Sequence, residues 1–188
     1  MTTLPIVIAP DDRLFTPSKE IEKVDDDIRK MLDDMSETMV AAHGVGLAAV
    51  QVGIMKRMFV AKIPDDYTVD EYDEQDQFKD YQARGGVFYV INPTITEFSD
   101  DTVAFREGCL SIPKQGGDVT RPRRVIVESL DYHGNKQIIK ARGWLARCFQ
   151  HEIDHLNGKL FIEYFSKLKY EMAMKKAQKV KKMYYAGE

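Results

Sequence analysis

GWLARCFQHEIDHLNG, residues 143–158, carries two patterns at once. Leu145, Cys148, Phe149 and Ile153 recur at helical spacing, and Asn157-Gly158 is a stop signal, so a helix is expected over 143–156. His151 and His155 stand at i and i+4 on it, about 40° apart around the axis and one turn along. Both imidazoles therefore point the same way, as two ligands on one metal ion require. Glu152 sits beside the first histidine. From there its carboxylate reaches a water next to the ion without binding the ion itself. His43 and His133 each stand alone beside a glycine and read as turn or cap residues.

Outward from this segment, Val24, Ile28, Met31, Leu32, Met35, Met39 and Val40 predict a first long helix over 25–43, with Gly44 as its C-cap. The run GVGLAAVQVG, 44–53, suits a backbone that passes close to something else. Strands are expected at 58–62 and at 87–91, the second stopped by Asn92-Pro93. Short β runs follow at 94–98, 103–106, 123–130 and 136–141, with a turn at 131–135. A lysine-rich helix closes the chain over 167–185. Between them, residues 64–86 have weak periodicity and read as an acidic surface insertion and a mobile loop. The expected class is α+β: antiparallel sheets around a central HExxH helix, with one N-terminal and one C-terminal helix.

The 188 residues, 44% hydrophobic and 30% charged, fit one globular domain spanning 1–188. No stretch approaches the roughly 20 apolar residues of a membrane span, and the N-terminus has no basic region before its short apolar run. A cytoplasmic protein without a membrane partner is expected. The net charge of −3 gives no sign of DNA binding. Charge is uneven, however: residues 166–182 hold seven lysines and one acid, Glu171. Such a face is either simply solvated or drawn to ribosomal RNA.

Catalytic metal sites usually carry three protein ligands, and two histidines leave one to find. Glu163 would need a sharp reversal just past Asn157-Gly158. Cys148 would put three ligands on one helix within two turns. Cys109, in EGCLS (107–111), is a thiol in a strand-like segment, where a small buried hydrophobe is the ordinary fate. Spacing alone ranks Cys109 only modestly above Cys148. With a carboxylate or histidine as third ligand, the chain would read as an HExxH endopeptidase.

Three segments together, GVGLAAVQ (44–51), EGCLS (107–111) and QHEIDH (150–155), resemble in order and rough spacing the signature motifs of peptide deformylases. The likeness runs from about residue 5 to 170 and breaks at the acidic insertion. It implies Cys109, His151 and His155 as metal ligands and Glu152 as general acid/base. It implies Gln51, by its side-chain amide, and Leu110, by its backbone N–H, as oxyanion donors. Gly46 would meet the substrate main chain, and Gly108 would lie at the substrate. Glu107 and Arg121 would be supporting polar residues, and Val45, Trp144 and Cys148 would line a methionine pocket. Trp144 is bulkier than the aliphatic residue expected there. The family ion is usually Fe2+, replaceable by Ni2+, Co2+ or Zn2+. The implied substrate is an N-formylmethionyl nascent peptide, and some members use a basic C-terminal helix to bind the ribosome.

Overall fold

A computed structural model describes residues 3–65, 67 and 80–185. Helix α1 (Asp26–Ala41) starts where the Asp25 carboxylate accepts a hydrogen bond from the Ile28 N–H at 3.0 Å, satisfying a donor that the first turn leaves free. Its buried Ile28, Leu32, Met35 and Met39 fall at i, i+4, i+7 and i+11 and form one apolar stripe. The helix does not end on Gly44 as expected. His43 itself takes the left-handed conformation (φ 54°), and the Gly44 N–H returns to the Met39 carbonyl at 2.9 Å.

The strands are β1 (Gly46–Ala48), β2 (Met58–Ala61), β3 (Phe88–Phe98), β4 (Thr102–Cys109), β5 (Ile112–Pro122), β6 (Arg124–Leu130) and β7 (Lys136–Arg142). Five of them form an antiparallel sheet in the order β1-β2-β3-β6-β7, and β4 and β5 form a separate hairpin. Helix α2 (Gly143–Leu156) packs against β1, β2, β5 and β7, and α3 (Lys167–Tyr185) packs on β5. A 3-10 turn, Ala49–Val52, follows β1. Among the described residues, no helix is long and apolar enough to cross a membrane.

Strand β2 shows why the sheet is covered on both sides. Its four residues are all buried, and alternation sends Met58 and Val60 into the cluster of α1, Phe59 and Ala61 into that of α2. Phe149, on α2, is fully buried with its ring edge-on to Phe59 and Phe88, at 5.2 and 5.6 Å between centroids.

Asn92-Pro93 does not stop a strand. Strand β3 runs through it with a register shift between Ile91 and Thr94, and Asn92 sits at φ 49°. Its side-chain amide accepts from the Ile21 N–H and donates to the Ile21 carbonyl, at 2.9 and 2.8 Å, so the bulge is anchored from outside the sheet. The expected turn at 131–135 is present, but 112–122 is a strand where none was expected. Of the expected acidic insertion, 66 and 68–79 lie outside the described residues.

Replacing Phe149 by Ala removes a fully buried ring and is expected to lower unfolding free energy by about 3–5 kcal/mol in a denaturant titration.

Candidate metal centre

Helix α2 follows β7 with no linker. Gly143, at φ 57°, makes that corner, and from it the helix enters the interior buried nearly all round. His151, Glu152 and His155 thereby reach the core although they are polar. The third component arrives from another element. Cys109 ends β4, and its Sγ lies 3.2 Å from His155 Nε2. Ligand atoms of Cys109, His151 and His155 all fall within 4.8 Å of one another. Cys148 is elsewhere: its thiol donates to the Val45 carbonyl at 3.4 Å. Glu163 is also engaged, accepting from the Leu160 N–H at 2.8 Å.

Glu107, on β4, is the hub behind this cluster. One carboxylate oxygen accepts from Arg121 Nε at 2.6 Å and Arg147 Nη1 at 2.7 Å, the other from Arg121 Nη2 at 3.0 Å. His151 Nδ1 lies 2.9 Å from that second oxygen, which leaves Nε2 facing Cys109 and His155. Arg121 reaches on to Asp154 at 2.8 Å. Burial alone would raise the Glu107 carboxyl, but His151 and Arg121 outweigh it and hold it at about 2.

Burial likewise opposes charge on His151, yet Cys109 and Glu107 raise its pKa well above the usual value. The same two groups that favour a proton there favour a divalent cation in its place. His155 is pushed well below its ordinary value by burial and then by His151, which leaves a neutral imidazole suited to ligation. A thiol and two imidazoles from two elements make a donor set that fits a first-row divalent metal with one position left open.

Glu152 lies against β1. Gly46 passes so close that an added Cβ would stand 2.5 Å from Glu152 Oε1 and 2.7 Å from Cys148 Sγ, so only glycine fits there. Burial pushes the Glu152 carboxyl up to about 7, and its Oε2 is buried with no partner among the described residues. Gln51 sits in the 3-10 turn, buried rather than on a surface strand. Its amide oxygen accepts from the Ala48 N–H at 2.8 Å, which turns Nε2 toward Cys109 Sγ and Ser111 Oγ, both at 3.4 Å.

A cavity of about 840 Å³ opens over the cluster. Val45, Gly46, Gly108, Leu110, Trp144 and Cys148 all line it, together with Gln51 and Glu152. Arg121 lies behind this wall, acting on the site through Glu107. Sequence reasoning missed Arg147, Asp154, Phe105 and Tyr67. Arg147 could have been found from its position, one turn before His151 on the same helix.

These features define a metallohydrolase: an open Cys-His-His donor set beside a buried carboxyl poised near neutrality. The profile of the polypeptide deformylase family matches residues 3–171. The peptide deformylase of Wolbachia pipientis wMel is 52% identical over 184 residues, covering 98% of this chain and 99% of the relative. That of Rickettsia prowazekii is 46% identical over 181 residues, covering 96% and 98%. A crystal structure of peptide deformylase from Ehrlichia chaffeensis superposes with a TM-score of 0.89 at 48% identity, covering 97% of this chain and 98% of that one. The Ehrlichia protein in complex with actinonin gives 0.87 at 49% identity, covering 95% and 98%. The chain belongs to the polypeptide deformylase family.

Cys109→Ala is expected to abolish metal retention after gel filtration, whereas Cys148→Ala retains one ion per chain by elemental analysis. The reverse result would transfer the third-ligand role to Cys148.

Proposed function

We propose that Cys109, His151 and His155 hold one divalent ion, natively Fe2+ with Ni2+, Co2+ or Zn2+ able to substitute, and that Glu152, Gln51 and Leu110 perform the chemistry beside it. The chain is a hydrolase that removes the N-formyl group from the N-terminal methionine of newly made polypeptides and releases formate. The observation that carries the residue assignment is the meeting of Cys109 Sγ and His155 Nε2 at 3.2 Å beside a buried Glu152 whose carboxyl is near neutrality.

An ion held by Cys109, His151 and His155 would supply Lewis acidity, lowering the pKa of a water toward neutrality and polarising the formyl carbonyl. Glu152, buried beside the proposed ligands with one carboxylate oxygen unpartnered among the described residues, takes the proton from the attacking water and returns it to the departing amine nitrogen as the C–N bond breaks. One carboxylate thus serves as base and then acid, and no proton is lost or gained over the cycle.

The negative charge on the formyl oxygen meets Gln51 Nε2, whose direction is fixed because Ala48 occupies the amide oxygen. The Leu110 N–H is the second donor. Gly46 and Gly108 flank the cavity and let the substrate main chain come close. The backbone that crowds Glu152 at Gly46 also limits the acyl group, and formyl is the smallest there is. Val45, Trp144 and Cys148 receive the methionine side chain. Glu107 and Arg121 orient His151.

Nickel-loaded protein given formyl-Met-Ala-Ser is expected to release formate. Glu152→Gln should lower kcat by at least about 10², and Gln51→Ala by about 10²–10³. An active Glu152→Gln enzyme would remove the acid/base assignment.

We also infer a cytoplasmic setting, since that is where newly made polypeptides emerge, and contact with the ribosome through α3. Lys175, Lys179 and Lys182 are exposed, while Ala173 and Ala177 of the same helix are buried against the body. The basic side is therefore free to meet RNA phosphates. Reversing these three lysines to glutamate should reduce ribosome co-sedimentation at low salt. Unchanged pelleting would remove this reading.

A further inference from the structure

Three aromatic rings from distant parts of the chain meet on the cavity wall. Trp144 stands in the first turn of α2, half-buried. Phe105, from β4, meets it edge-on at 4.6 Å and 78°. Tyr67, from the segment after β2, meets it edge-on at 4.9 Å and 77°. All three line the cavity that holds Glu152 and His151. Phe105 remains 45% exposed, so its ring is offered to the cavity as well as to its neighbour. Arg147 lies 5.6 Å from the Phe105 centroid and is itself fixed on Glu107, so the wall is backed by the same network that orients His151.

The segment carrying Tyr67 is tied down on both described flanks. The Tyr67 N–H donates to the Pro64 carbonyl at 3.2 Å, and Arg84 donates to the Asp65 carbonyl at 2.7 Å. On the return side, the Gln82 N–H bonds the Lys140 carbonyl at 2.7 Å and the Gln82 carbonyl accepts from Arg142 at 2.9 Å. Those bonds land on the last residues of β7, immediately before Gly143-Trp144. Gln82 and the tryptophan are therefore held by neighbouring stretches of the same backbone.

We propose that Tyr67 is a positioning residue for substrate selection: it clamps Trp144 against Phe105 and so sets the aromatic wall on which the methionine side chain packs. An unbranched, polarisable thioether lies well along ring edges and faces. A side chain branched at Cγ collides with a tryptophan that cannot turn away. Edge-to-face contacts on two sides hold the indole in one rotamer, and losing Tyr67 frees it. This inference rests on the deformylase reading and adds to it a substrate-selecting role for Tyr67.

Trp144 is the chain's sole tryptophan, so its emission reports the wall directly. Nickel-loaded wild type, Tyr67→Ala and Tyr67→Phe are compared for formate release from formyl-Met-Ala-Ser and formyl-Leu-Ala-Ser, and for emission with and without Met-Ala-Ser. In Tyr67→Ala, KM for the methionine peptide should rise about 3- to 10-fold, more than kcat falls. The methionine-over-leucine preference should narrow, the free emission should move to the red, and the peptide-induced change should shrink. Tyr67→Phe, which keeps the ring, should restore all four. Wild-type KM, preference and emission in Tyr67→Ala would overturn the clamp. If wild type released no formate, the deformylase reading would fall, and the emission of Tyr67→Ala would still decide the clamp.

Discussion

Three charged or ionisable side chains converge on the carboxylate of Glu107 in a place water hardly reaches. Glu107 and Arg121 each expose 4% of their side chains, and Arg147 and His151 complete the group. Removing charges from water is expensive, and the attraction recovers that cost only when geometry is good and every lone pair is occupied. Here both carboxylate oxygens are shared between donors from β5 and α2. The arrangement therefore tolerates little displacement of β4, β5 or α2 relative to one another. The proposed ligands lie within that constraint, because Cys109 is two residues beyond Glu107 and His151 is one turn beyond Arg147.

Position in the fold explains why polar residues can occupy the core. Strand β2 feeds apolar side chains to both α1 and α2, so the sheet needs no polar face toward either helix. Helix α2 can then spend its inner surface on Arg147, Gln150, His151, Glu152 and His155, each buried. Gly46 brings β1 against that surface more closely than any side chain would permit. Gln51, in the turn that follows, is aimed by a backbone N–H three residues earlier.

Helices α1 and α2 were legible in the sequence because each has a clean 3.6-residue period. The histidine pair was legible for the same reason, as its meaning depends only on local spacing. Strand β5 was not: Pro113, Gly116 and Gly117 look like breakers, and what makes them a strand is pairing with β4, a non-local contact. The bulge at Asn92 was hidden likewise, since its stabilising partner is Ile21, far back in the chain. Gly44 as the helix cap was a local miss, because His43, itself read as a turn or cap residue, takes the left-handed conformation instead. In the site, local spacing could not choose between Cys109 and Cys148. The order of three short motifs chose Cys109, and the fold places that thiol against His155. Tyr67 and Phe105 had no sequence signal, since ring contacts across three segments leave no periodicity.

The proposed ligands come from separate parts of the architecture. Cys109 belongs to the β4–β5 hairpin, which pairs with no strand of the five-stranded sheet, whereas both histidines belong to α2. An ion held by all three would tie the hairpin to the helix in the folded chain, and since the unfolded chain lacks the assembled site, its binding free energy would add to the stability of the fold. Chelation or thiol oxidation at Cys109 then acts as the cutting of a staple. The hairpin loses a tether at the end that lines the cavity, so metal status and mechanical integrity of the substrate cleft become one variable.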